Sequence, residues 1–173
     1  MKSGLSQKFW VNQAGFQLAW WCAILFTSQS LPVLIILLLL HFLFHRHPLN
    51  EAYVVLACGL IGFSVDLLLT AAGLFRFGSA ALPPLWLLLL WFCFSATLRQ
   101  SLSFFHNRRM LASVCGGISG GLAYIAAAKL GAVSIGLSTV PGFLVLMFIW
   151  MGLFPLQIWL STRQFPGEVR GAY

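Results

Sequence analysis

The chain has 173 residues, of which 60% are hydrophobic and 8% charged, and its mean hydropathy is +0.93. That composition excludes a soluble globular domain, and the apolar runs leave no room for an extramembrane one. The formal net charge of +7 therefore concerns membrane orientation and anionic lipid, and nucleic acid is not an expected partner.

The apolar runs predict one all-α domain over residues 1–173, a polytopic transmembrane helix bundle of about six spans. Lys2 and Lys8 precede the first run in the manner of a signal peptide. The run has no small-residue cleavage site and contains Asn12, Gln13 and Gln17, so a retained first helix is expected over residues 9–27. The second helix is expected over 30–45, with Pro32 in its first turn, where the missing N–H is tolerated. The third covers 52–74, and the fourth 82–102, behind Pro83-Pro84. The fifth covers 110–128, and the sixth 137–160, containing Pro141 and Pro155. Lipid-exposed strands would require a closed barrel, and the runs lack period-two alternation. The four cysteines, Cys22, Cys58, Cys93 and Cys115, fall in four different segments and form no C-x-x-C pair, so they read as buried thiols.

The charges are distributed unevenly between the two ends. With the N-terminus inside, one side collects Lys2, Lys8, Arg46, Arg99, Arg108, Arg109, Arg163 and Arg170, and the other only Arg76 and Lys129. That asymmetry predicts cytoplasmic N- and C-termini and an even number of spans.

The candidate functional residues fall at two depths. Asp66, one of three acidic residues, lies near the middle of the third helix. A carboxylate there costs several kcal/mol unless paired, hydrated or protonated, which makes it a candidate catalytic or proton-carrying group. Thr70, Tyr124, Lys129, Ser138 and Thr139 share its half of the bundle, and the Lys129 side chain is long enough to reach toward it. The opposite half holds Asn12, Gln13, Gln17, His41, Arg99 and Gln100. Asn12, Gln17, Arg99 and Tyr124 are candidate substrate-binding residues. The Asn/Gln/His/Arg set suits a phosphate or carboxylate head group, and equally suits interhelical hydrogen bonding with Arg99 snorkelling to the interface.

Gly116, Gly117, Gly120 and Gly121 predict a tightly packed face on the fifth helix, since small residues let helices approach closely in lipid. His41, His45 and His47, followed by Glu51, have H-x-x-x-H and H-x-H spacing and are weak metal-ligand candidates. With four histidines in the chain a di-iron centre is not expected, no metal or other cofactor is assigned, and an interfacial basic patch is the ordinary reading. No phosphate loop, nucleophile elbow or dinucleotide fingerprint is present.

Asn12-x-x-x-Phe16-Gln17-x-x-Trp20, Gly62-x-x-x-Asp66-x-x-Leu69, Pro84-x-Trp86-Leu87-x-x-Leu90-Trp91 and Gly120-Gly121-Leu122-Ala123-Tyr124 together resemble the bacterial inner-membrane family known as domain of unknown function 2878. The resemblance covers nearly the whole chain. It implies a multi-pass protein of a bacterial inner membrane with a link to fatty-acid modification. Membrane lipid and soluble lipid-modifying enzymes are the partners it implies. The sequence expectation is a protein that binds or processes a lipid or small amphiphile. A proton-coupled small-solute transporter using Asp66, and a non-catalytic scaffold for lipid enzymes, remain open beside it.

Overall fold

A computed structural model describes residues 8–78 and 80–163; Lys2 and Arg170 of the charge asymmetry lie outside them. The described fold is all-α, with six helices and one minimal ribbon. Helix α1 (Phe9–Phe26) passes through a 3-10 turn, Thr27–Ser30, into α2 (Leu31–Leu43). Thr27 adopts φ 45°, a region that β-branched residues rarely enter, and the chain reverses there. Val11, Asn12, Gly15 and Phe16 of α1 then line one gap with Leu37, Leu38, Leu40 and His41 of α2. Helix α3 (Pro48–Ala71) begins on a proline, whose missing N–H would have no partner in a first turn. Helices α4 (Leu85–Ser95), α5 (Arg109–Lys129) and α6 (Thr139–Ser161) follow. Strands β1 (Phe75–Arg76) and β2 (Ser134–Ile135) pair antiparallel, Phe75 opposite Ile135, and join the α3–α4 and α5–α6 connections at one end.

Four helical runs are long and apolar enough to cross a membrane: Phe9–Leu43 taken together, Pro48–Ala71, Arg109–Lys129 and Thr139–Ser161. The chain is a multi-pass membrane protein. Its six helices are not six full-length spans. At about 1.5 Å per residue, α2 and α4 extend only about 20 and 17 Å, short of a hydrocarbon core of about 30 Å.

The fourth helix is half the expected length. The sequence predicts 82–102, yet α4 stops at Ser95 and residues 96–102 run on as successive turns. Side chains compete for the carbonyls that would continue the helix. Asn12 Nδ2 donates to the Ala96 carbonyl at 2.9 Å, and Thr97 Oγ1 to that of Phe94 at 2.6 Å. His106 Nε2 donates to the Leu98 carbonyl at 2.8 Å. Irregular backbone at such depth is tolerated only when protein surrounds it, and residues 95–98, Gln100 and Ser101 are all buried.

Glycines set the helix approaches. On α5, Gly116 faces Phe154, Gly117 faces Met151, Gly120 faces Trp150 and Gly121 faces Phe143, all on α6. On α3, Gly59 faces Phe92 and Gly62 faces Trp91, both on α4. Pro155 inside α6 cannot donate to the Met151 carbonyl one turn earlier; Ser113 Oγ of α5 does so instead, at 2.6 Å. Cys58 and Gln157 tie α3 to α6 reciprocally, with Gln157 Nε2 donating to the Cys58 carbonyl at 3.1 Å.

A side chain at Gly120 would place its Cβ 2.2 Å from Trp150, whereas one at Gly15 would meet nothing within 4 Å. Gly120→Leu should cost about 1–3 kcal/mol or prevent folding, while Gly15→Ala should be neutral or mildly stabilising. Melting profiles in detergent check this; equal profiles for the two variants would show that the α5–α6 approach is not limiting.

Candidate functional site

Between α1, α4, α5 and α6 lies a cavity of about 410 Å³. Its walls are aromatic: Phe16 and Trp20 from α1, Trp86, Trp91 and Phe94 from α4, and Trp150 from α6. Helix α5 contributes a thin wall of Gly116, Gly120 and Ala123. Phe77, Trp86 and Val133 line it at the ribbon end, and Thr97, Leu102 and Phe105 at the other. Helix α5 packs chiefly on α6, and α1 on α2 and α4, so α1 and α5 stand on opposite sides of the cavity. Gln17 and Trp21 on α1 and Ser119 on α5 line it and are nevertheless exposed. The cavity therefore opens sideways between those two helices, at the depth where lipid would lie.

The wall opposite that opening is built from two helical repeats of the same kind. Gly62 on α3 lets the Trp91 indole lie against its backbone, and one turn later Asp66 accepts the indole N–H at 2.7 Å. Gly120 on α5 does the same for Trp150, and one turn later the Tyr124 hydroxyl lies 2.7 Å from both Asp66 carboxyl oxygens. The two indoles stack at 5.4 Å between centroids, with planes 11° apart. Phe75 of the ribbon stacks on Tyr124 at 5.0 Å. Asp66 itself is 1% exposed and is not among the cavity-lining residues. It stands behind the wall and orients two rings that form it. Lys129, placed by the sequence within possible reach, is exposed at the end of α5, whereas the Asp66 carboxyl accepts from Trp91 and Tyr124.

The polar group expected at the other end divides into four separate sets. Gln13 and Gln17 line the cavity, and among the described residues neither amide makes a hydrogen bond. Asn12 ties α1 to the turns after α4, accepting from the Ser101 hydroxyl at 2.7 Å. Arg99 donates to the carbonyls of Ser161 at 2.6 Å and Arg163 at 3.0 Å, where α6 ends and its own amides have run out. The sequence grouped Arg99 with Gln17 around one head group; the structure separates them, because the α6 terminus is the nearer acceptor.

His41, His45 and Gln100 form the fourth set, around Glu51, which the sequence reading did not include among its candidates. Glu51 is 1% exposed, with His41 Nε2 at 3.2 Å and His45 Nε2 at 3.6 Å from its two oxygens. These three are the described residues whose ligand atoms converge as a metal site would require, within 4.8 Å of one another. His47 instead donates its backbone N–H to His45 Nδ1 at 3.1 Å. That contact places the neutral ring's proton on Nε2, where it can be donated to the Glu51 carboxyl or to the Gln100 amide turned oxygen-first, so the set fits a hydrogen-bonded carboxyl–imidazole cluster better than a metal centre. Burial holds the His45 imidazole below the ordinary histidine value, and Glu51 partly opposes that shift.

The wall residues Trp91 and Trp150 were absent from the sequence candidates. A signal for them existed in the paired spacings Gly62-x-x-x-Asp66 and Gly120-x-x-x-Tyr124, which put a ring-sized gap one turn from a polar group on each helix. Taken together, fold and site define a multi-pass membrane protein with an aromatic intramembrane cavity. The chain belongs to the family described as protein of unknown function (DUF2878), whose model matches residues 9–156. Neither a curated protein nor a solved structure matches it.

Asp66→Asn should change the melting temperature little: its amide oxygen can take the Trp91 N–H, and the Tyr124 hydroxyl can turn to accept from its NH₂. Asp66→Leu should cost roughly 1–3 kcal/mol for each donor left without a partner. Equal melting temperatures for the Leu variant and the wild type would remove Asp66 from the packing of this wall.

Proposed function

We propose that the protein binds a lipid or other small amphiphile in the cavity between α1 and α5, in a bacterial inner membrane. The observation that carries this reading is the cavity itself, sideways-open and aromatic, with two amides at one end that have no partner among the described residues. Its volume falls within the range of small-ligand sites, about 300–1,000 Å³, and suits one chain or a compact ring system. Entry from the side lets the apolar part of a ligand leave the bilayer without crossing water.

Asp66 acts in this reading as a positioning residue. Its hydrogen bonds hold Trp91 and Tyr124 in place, which supports orientation of the wall in preference to proton carriage. A link to fatty-acid modification, and recruitment of soluble lipid enzymes to the exposed arginines of the same end, are compatible with that role. The excess of Lys and Arg at the end carrying Arg46, Arg108 and Arg163 supports a cytoplasmic location for both termini. A phosphatase reporter inserted at Gly78 should then be active in the periplasm, and one fused after Tyr173 inactive; the opposite pattern would overturn the orientation.

Mass spectrometry of extracts from the purified protein should find a recurrent apolar molecule at near-equimolar ratio. Ser119→Phe, which narrows the opening from an exposed position, should lose most of it while melting as the wild type does. Unchanged retention in that variant would sink the cavity as the binding site. If Asp66→Asn retains the ligand but abolishes a cellular phenotype, Asp66 does more than position its neighbours.

A further inference from the structure

Among the described residues, no Lys, Arg, His, Asp or Glu lines the cavity, and this decides what kind of head group it accepts. Resting on the amphiphile-binding reading, we infer that the ligand is an uncharged amphiphile with a single hydrogen-bonding end, of which a long-chain alcohol is the simplest case. An ionised head group drawn into such a site would exchange water for a low-dielectric surround with no counter-charge, which disfavours its entry. A hydroxyl or carbonyl needs only one or two neutral partners.

Those partners are identifiable by elimination among the lining side chains. The Tyr124 hydroxyl is committed to Asp66. Thr97 donates to the Phe94 carbonyl at 2.6 Å, and Ser119 to the Cys115 carbonyl at 2.7 Å. The indole N–H groups of Trp20, Trp21, Trp86 and Trp150 can only donate, which leaves Gln13 and Gln17, one helical turn apart on α1, as the lining side chains that offer both a donor and an acceptor with no described protein partner. The head group belongs at these two amides, and the chain beside Phe94, Trp91 and Trp150. Arg99, the basic side chain that would have argued for an anion, donates to the Ser161 and Arg163 carbonyls at the end of α6.

The test uses the full-length protein in detergent and three probes with one dibrominated octadecyl chain. One ends in a hydroxyl, one in a sulfate and one in a trimethylammonium group, so that only head-group charge differs. Bromine quenches tryptophan, and the cavity carries Trp20, Trp86, Trp91 and Trp150. The alcohol should quench saturably, with both charged probes at least tenfold weaker. Gln17→Leu should weaken the alcohol about tenfold, the loss of one hydrogen bond. Gln17→Glu should turn the preference toward the ammonium probe. Ser119→Phe, or Ala123→Leu if that variant fails to fold, should abolish saturable quenching. Sulfate or ammonium binding equal to or tighter than the alcohol in the wild type would overturn the uncharged-ligand inference while leaving the cavity reading intact. No saturable quenching by any probe would overturn both.

Discussion

The bundle is organised around two stacked indoles held between two helices. Trp91 and Trp150 lie face to face, with the backbone of Gly62 behind one and that of Gly120 behind the other. Neither helix could approach if either glycine carried a side chain. One turn beyond that layer, Asp66 and Tyr124 close the gap directly, and Asp66 also accepts the Trp91 N–H. In lipid there is no hydrophobic drive to bring helices together, so close packing and shielded hydrogen bonds must do it. This layer supplies both at one depth. It also makes one face of the cavity, so the same contact that joins α3, α4, α5 and α6 shapes the site.

The second constraint is backbone satisfaction. Helix α4 ends early, and α6 carries Pro155, so carbonyls are released inside a region where water is scarce. Asn12, His106 and Ser113 each donate to one of them. Arg99 serves the end of α6 in the same way. Polar residues that look like a binding site when placed by depth alone are thereby largely consumed in holding the fold. Gln13 and Gln17 are the exceptions, and that is why they matter for ligand recognition.

A third cluster stands apart from the cavity. His41 from α2, Glu51 from α3, Gln100 from the turns after α4 and His45 from the α2–α3 connection meet out of solvent. With Glu51 fully enclosed, the imidazoles provide the opposing dipoles or charge that a buried carboxyl demands. The cluster closes the arginine-rich end of the bundle, as the β1–β2 ribbon and Phe75 close the other.

The sequence alone determined the class and the order of helices, because apolar runs of about 20 residues have only one kind of solution in lipid. It also marked the sharpest position, Asp66, because a carboxyl at that depth is costly wherever it points. It did not determine partners. Asn12, Gln17, His41 and Arg99 share a depth in the chain's linear reading, but rotation of each helix about its axis sends them to four different neighbours, and apolar runs without strong amphipathicity do not specify that rotation. The length of α4 was likewise hidden, since its end depends on Asn12, which is 84 residues away from the carbonyl it binds. Only the tertiary structure could pair Gly62 with Trp91 and Gly120 with Trp150, and only that pairing turns a glycine stripe and a buried acid into one wall of a cavity.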